Sequence, residues 1–322
     1  MRLRLGLVAE NNHLFLNQVK LCLFSLRKNG GALSGIPVTL ITNNEPLRPR
    51  EADFFRENFS PIEFRTAPRL GAIPHTSKLN VFYSIDPASY DVLMFLDCDT
   101  VIRKSLDGMT APLERAGAEF LCRRGGETDR DRFLDFDALV ARFCGSGATD
   151  KVSYNGHEEW PMFNSGVFLG TSRAISRIRG DAIDFTYRLF NEWQRIDALD
   201  RLPRPVKDLI ESHYPGENRT RQLVIADWPL EQGALALACI RSGVRVRYLD
   251  EIYNSWGGGC DFRILHCFKS VYGFDRRTMF DDSSNDWIAE YQDSDIAGKR
   301  FLAGITREYK NTFGQPRFRS DP

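Results

Sequence analysis

Residues Val92–Ile102, VLMFLDCDTVI, carry five apolar residues straight into Asp97 and Asp99, which only Cys98 separates. An apolar run of that length reads as a buried strand. Its carboxyl end is where open α/β sheets bind ligands. Two carboxylates this close repel each other unless a cation lies between them. Oxygen donors suit magnesium or manganese, ions that also carry phosphate oxygens. The spacing alone decides little, because Asp129/Asp131, Asp135/Asp137 and Asp293/Asp295 repeat it. Those three pairs follow no buried strand and read as solvated charge. The ordinary reading of Asp97 and Asp99, a capping aspartate and a turn aspartate, stands beside the metal one.

The elements that must position this pair alternate along the first half of the chain. Leu3–Ala9 reads as a strand, and Leu14–Lys28 as a helix stopped by Asn29-Gly30-Gly31. Pro37–Thr42 and Ile62–Thr66 read as strands, Pro49–Asn58 as a helix and Ser77–Ser84 as a short one. Strands alternating with helices predict an α/β fold whose mostly parallel central sheet is flanked by helices.

The second half is less regular. Glu119–Cys122 reads as a strand, Phe133–Phe143 as a helix and Gly145–Gly156 as a loop. Phe163–Gly170, FNSGVFLG, reads as a turn entering a strand, with a helix following to about Trp193. Residues 198–226 hold three prolines and mixed charge, the pattern of a long excursion and a candidate acceptor loop. Pro229–Gly243 reads as a strong helix, with proline at its start and glycine just past its end. Strands at Val244–Leu249 and Arg263–His266 precede a polar tail. The expected organisation is one catalytic domain over residues 1–275 and a tail over 276–322. Its nucleotide-binding half covers about 1–104 and its acceptor and sugar half about 105–275.

Composition narrows the partners. The 43 Lys and Arg residues balance 43 Asp and Glu in 322 residues, so no net field draws the chain to nucleic acid. Seven cysteines without CxxC or zinc spacing fit reduced thiols. The N-terminal apolar run is too short for a signal peptide, and nothing reaches transmembrane length. The expectation is a cytoplasmic protein with no transmembrane segment, peripheral membrane contact staying open.

Several further residues stand in an order that resembles glycosyltransferases of the nucleotide-diphospho-sugar transferase (GT-A) fold, most closely the family 8 type. The first strand ends Ala9-Glu10-Asn11-Asn12-His13, where such enzymes hold the nucleoside. Lys78 precedes the aspartate strand, matching a basic residue near the donor. Asp97-Cys98-Asp99 matches the Asp-x-Asp metal site. Asn164-Ser165-Gly166 resembles a segment lying along the donor sugar, and Glu231-Gln232 resembles an Asp-Gln pair contacting sugar hydroxyls. His266 matches a third metal ligand, and Lys269 stands near a diphosphate-binding lysine.

The resemblance implies a manganese or magnesium ion held by Asp97, Asp99 and His266. It implies a nucleotide-sugar donor, uridine favoured, a hydroxyl acceptor and a retaining transfer, with Asn164, Glu231 and Gln232 at the reacting sugar. Departures are Glu231 for the family's aspartate, Glu10 and His13 for an Asp and a Tyr, and His266-Cys-Phe-Lys269, which lacks the family's Pro-Trp. Each residue also has an ordinary structural role open to it, and only the ordered set separates the readings.

Two other classes remain. Asp97-Cys-Asp99-Thr-Val101 also resembles the haloacid-dehalogenase-like phosphatases, with Asp97 as nucleophile and Asp99 as general acid/base. That family needs a second acidic motif after a strand, and the nearest match, Gly180–Asp184, lies in a helical pattern. A non-catalytic nucleotide-binding module would bind a donor without turning it over.

Overall fold

A computed structural model describes residues 1–70, 74–115, 117–125, 136–145, 147–148, 151–193, 230–256, 258–259, 261–267 and 286–314. Its elements follow the apolar runs. Strand β1 (Leu3–Glu10) leads into helix α1 (His13–Asn29), then β2 (Val38–Asn43), α2 (Pro49–Phe59) and β3 (Ile62–Ala67). A 3-10 segment, Pro74–Asn80, continues into α3 (Val81–Ser84), followed by β4 (Val92–Leu96) and the short β5 (Thr100–Ile102). Next come α4 (Ala111–Arg115), β6 (Phe120–Arg124), α5 (Phe136–Cys144), β7 (Val152–Tyr154), β8 (His157–Glu159) and β9 (Phe163–Thr171). Helices α6 (Ser172–Trp193) and α7 (Leu230–Arg241), strands β10 (Val246–Leu249) and β11 (Ile264–His266), and helices α8 (Asp286–Gln292) and α9 (Ala297–Phe313) complete the described chain.

The fold class is α/β with a mostly parallel central sheet, as expected. The chain forms two compact units that interleave in sequence. One comprises Met1–Arg4, Ala67–Phe95 and Thr110–Leu249; the other comprises Leu5–Thr66, Leu96–Met109 and Asp250–Pro322.

In the first unit strands run in the order β10-β6-β9-β4. Strand β10 is parallel to β6, and β9 is antiparallel to it. Helix α6 buries Ile175, Ile178, Ala182, Phe185 and Leu189 at helical spacing and turns Arg173, Ser176 and Arg177 outward. Helix α7 is different: every residue from 231 to 240 is buried, the pattern of a helix enclosed on all sides. Its polar first turn, Glu231 and Gln232, is therefore buried too. Gly243, with φ of 58°, ends this helical segment in a conformation that favours glycine.

In the second unit β1 lies parallel to β2 with Glu10 opposite Asn43, and β3 follows β2. Strand β5 pairs antiparallel with β11, with Thr100 opposite His266. Helix α9 presents Leu302, Ile305 and Tyr309 inward. Phe313 packs its ring 5.8 Å from Phe24 of α1, 5.5 Å from Phe54 and 5.9 Å from Phe59 of α2.

Three expectations change. The segment 276–322, expected as a polar tail, contains helices α8 and α9, whose apolar faces are carried by widely spaced residues in a charged sequence. Residues 145–156, expected as a loop, include β7, which forms a hairpin with β8 through Asn155 and Gly156 at positive φ (49° and 80°). The Asn-Ser-Gly turn lies inside β9. The ladder breaks there: Cys122 faces Phe168 while the next residue, Arg123, faces Asn164. The extra residues form a bulge, so the turn chemistry is used within a strand. The excursion at 198–226 and Lys269 lie outside the described residues.

Candidate functional site

Strand β4 is buried throughout and delivers Asp97 at its end. The backbone N–H and hydroxyl of Thr100 both donate to the Asp97 carbonyl, at 3.1 and 2.7 Å, closing a tight turn over Cys98 and Asp99. The chain then enters β5. Because β11 pairs with β5, His266 arrives opposite Thr100, and the Cys267 N–H donates to the Asp99 carbonyl at 2.9 Å. His266 Nε2 lies 3.3 Å from Asp99 Oδ1 and 3.7 Å from Asp97 Oδ2. One donor atom from each residue falls within 4.8 Å of the other two, a span that a single ion can bridge.

The donor set fits the expected ion. It holds two hard carboxylate oxygens and one imidazole nitrogen, which suits manganese or magnesium. Asp99 and His266 are only 4% and 7% exposed. Two negative charges gathered with little water are costly without a compensating cation. The hydrogen bonds from Thr100 reach only the main-chain carbonyl of Asp97, which any residue offers, so they are not a side-chain cap.

Helix α1 holds this turn from behind. Gln18, Cys22, Ser25 and Asn29 follow helical spacing along it. The Cys98 thiol donates to Gln18 Oε1 at 3.1 Å, and Cys22 Sγ lies 3.6 Å from the Thr100 hydroxyl. Ser25 Oγ accepts from the Ile102 N–H at 2.9 Å, and Asn29 Nδ2 donates to the Ile102 carbonyl at 2.8 Å. Burial pushes the Cys22 thiol up to about 12; the Thr100 hydrogen bond opposes the rise, and the charges of Asp99 and Asp97 add to it. Cys22 is a neutral packing group.

At the start of α1, Ala9 and Glu10 are buried and His13 is exposed. Asn43 Nδ2 donates to Glu10 Oε1 at 2.8 Å, aligning the two strand ends. Asn12 caps α1 by accepting from the Phe15 N–H at 3.1 Å, and Asn11 Nδ2 donates to the Pro46 carbonyl at 2.9 Å.

The first unit gathers a second set. Lys78 Nζ donates to Ser165 Oγ at 3.0 Å, and that hydroxyl donates to Glu231 Oε1 at 3.0 Å. Lys78 Nζ also lies 3.5 Å from Glu231 Oε1. All three side chains are buried, and their charges cancel. The β9 bulge brings Ser165 to this position; within it Asn164 Oδ1 accepts from the Gly166 N–H at 3.1 Å. Gln232 is buried beside Glu231 in sequence, and its Oε1 meets no hydrogen-bond donor among the described residues. Lys78, expected as a basic residue near the donor, here directs its ammonium to Ser165 and Glu231.

The downstream acidic motif of the phosphatase reading falls inside α6. Asp181 faces Arg241 at 3.6 Å, and Asp184 lies 3.4 Å from Arg188 one turn on. Neither ends a strand, so the second half of that motif is missing at this segment. Sequence reasoning overlooked Gln18, Asn43 and Thr100. Helix α1 also carries Asn17, Lys20, Arg27 and Lys28, so no pattern in its sequence singles out Gln18.

No family model matches the chain, and no curated protein matches it. Among solved structures it is similar to a galactosyltransferase, LgtC, in complex with donor and acceptor sugar analogues. That match has 14% identity and a TM-score of 0.45, over 94% of this chain and 95% of that one. It is similar to mouse xyloside xylosyltransferase 1, with 11% identity and a TM-score of 0.43, over 84% of this chain and 98% of that one. It is also similar to the bifunctional glycosyltransferase WbbM, with 10% identity and a TM-score of 0.43 over 95% of this chain; the chain spans 44% of that protein's length. Likenesses this distant do not establish a shared activity. No helix among the described residues is long and apolar enough to cross a membrane.

Proposed function

We propose that this protein is a metal-dependent glycosyltransferase of the GT-A fold, resembling family 8. It moves a sugar from a nucleotide diphosphate, uridine favoured, to a hydroxyl acceptor with retention of configuration. The observation that carries this reading is the convergence of Asp97, Asp99 and His266 from two strands that meet only in the fold.

These three residues would hold manganese or magnesium. Bound there, the ion supplies Lewis-acid neutralisation of a departing diphosphate. In the transfer, the bond from the anomeric carbon to the diphosphate oxygen breaks. A bond from that carbon to the acceptor oxygen forms, and the proton of the acceptor hydroxyl passes to the departing diphosphate oxygen. Asn164, Ser165, Gly166, Glu231 and Gln232 are assigned to the sugar, whose hydroxyls they orient by hydrogen bonds. Lys78 and Ser165 fix the Glu231 carboxylate before any substrate arrives, so less ordering remains at the moment of reaction. Gln232 Oε1, buried without a donor among the described residues, suits a sugar hydroxyl. Ala9, Glu10, Asn11 and His13 are assigned to the nucleoside, Cys98 to the donor side of the metal turn, and Lys269 to the diphosphate.

The test is a panel of nucleotide sugars, each with Mn2+ and with a chelator, read by nucleotide release and by thermal shift. Asp99→Ala or His266→Ala is expected to weaken Mn2+ binding roughly 100-fold or more, since each removes a ligand. Unchanged Mn2+ titration in both variants would rule out this site. Phosphate release from simple phosphoesters, lost in Asp97→Asn, would favour the phosphatase class, and binding without turnover would favour the non-catalytic one.

A further inference from the structure

The Cys98 side chain lies between the two metal carboxylates in sequence, yet it takes no part in their cluster. Asp97 and Asp99 both approach His266 Nε2, whereas the intervening thiol is directed to α1 and donates to Gln18 Oε1 at 3.1 Å. Gln18 is 2% exposed, a buried amide on α1. A buried amide costs stability unless its polar atoms are used. One residue per turn further along, Cys22, Ser25 and Asn29 meet Thr100 and both backbone groups of Ile102. The polar stripe of α1 therefore fastens the whole segment from Cys98 to Ile102, and Gln18 holds the residue between the ligands.

We infer that Gln18 is a positioning residue for the metal site: by anchoring Cys98 it fixes how the Asp97 and Asp99 carboxylates are presented to His266. The inference rests on the metal reading above and adds to it a residue outside the ligand set. A turn with its middle side chain free can rotate either carboxylate away. Anchoring it beforehand leaves less to order when the ion binds.

The experiment uses the full chain, with Mn2+ affinity measured from the electron paramagnetic resonance signal of the free ion and metal-free melting temperature recorded for every variant. Gln18→Leu keeps the volume and removes the acceptor; it is expected to weaken Mn2+ binding about tenfold, the scale of a lost outer contact. Cys98→Ala is expected to match it. The Gln18→Leu/Cys98→Ala double variant is expected to be no weaker than either single variant, because the two residues act through one contact. Cys98→Ser, whose hydroxyl still donates, is expected to bind the ion several-fold more tightly than Cys98→Ala.

Mn2+ affinity equal to wild type in Gln18→Leu, with or without a lower melting temperature, would assign Gln18 to packing alone and overturn the inference. Additive losses in the double variant would do the same. Should Gln18→Leu fail to fold, the comparison of Cys98→Ser with Cys98→Ala carries the test, and equal affinities there overturn it. A wild-type chain that fails to take up Mn2+ defeats the metal reading itself, a separate outcome.

Discussion

Thr100 supports the Asp97–Asp99 turn twice, once by bonding to the Asp97 carbonyl and once as the β5 residue opposite His266. Thr100→Val keeps the shape and the strand propensity but removes the hydroxyl donor. Its expected cost is about 1 kcal/mol of stability, the usual net worth of one intramolecular hydrogen bond. Chemical denaturation reads that cost, and a parallel Mn2+ titration is expected to show a loss of a few fold. The carboxylates themselves were legible in the sequence because a five-residue apolar run points straight at them. Their support was not. Gln18 and Asn43 act through partners 80 and 33 positions away, and no local pattern announces a contact made only by the fold. Ser165 was placed in a turn on the strength of Asn-Ser-Gly. That chemistry is present, but neighbouring strands hold it as a bulge within β9, so tertiary pairing overrode local preference.

At the scale of elements, most strands and helices of the first half were readable because apolar runs alternate with helical patterns; the three-residue β5 was not expected, and the stretch read as a helix over Ser77–Ser84 is 3-10 as far as Asn80. The last two helices were not readable. Leu302, Ile305, Tyr309 and Phe313 keep helical spacing, yet Lys299 and Arg300 before them and Arg307 and Lys310 among them give the segment a polar composition. Its stability comes from packing against α1 and α2, which composition does not display. Phe313→Ala removes ring contacts to Phe24, Phe54 and Phe59 at once. Because the ring is only half-buried, the expected loss is about 2 kcal/mol, read from the urea midpoint. The β7–β8 hairpin was missed for a related reason. Its strands are polar, and the side-chain anchors lie elsewhere: Arg124 of β6 grips Glu159 at 2.6 and 2.9 Å, and the Tyr248 hydroxyl donates to the same carboxylate at 3.0 Å.

For the molecule as a whole, alkaline pH is the weak side. Burial pushes the Cys22 thiol from an ordinary value of 9.0 up to about 12, and the Tyr90 hydroxyl from 10.0 up to about 12. Cys144 rises to about 11 for the same reason. The folded chain thus keeps protons that the unfolded chain releases. Stability from these groups is complete below about pH 9 and falls as pH rises toward about 12, because the unfolded state then binds fewer protons. Urea midpoints are expected to be level near neutrality and to fall steadily above about pH 9. Tyr90→Phe is expected to flatten part of that fall. It should leave stability near neutrality unchanged or up to about 1 kcal/mol higher, since the buried hydroxyl meets no partner among the described residues.

The pairing of β5 with β11 joins residues near position 100 to residues near position 265. During synthesis, therefore, the aspartates leave the ribosome long before the imidazole of the proposed ligand set. The three proposed donors can come together only after residue 266 has emerged. Premature stops upstream of His266 would yield chains that carry the acidic turn without the third proposed donor.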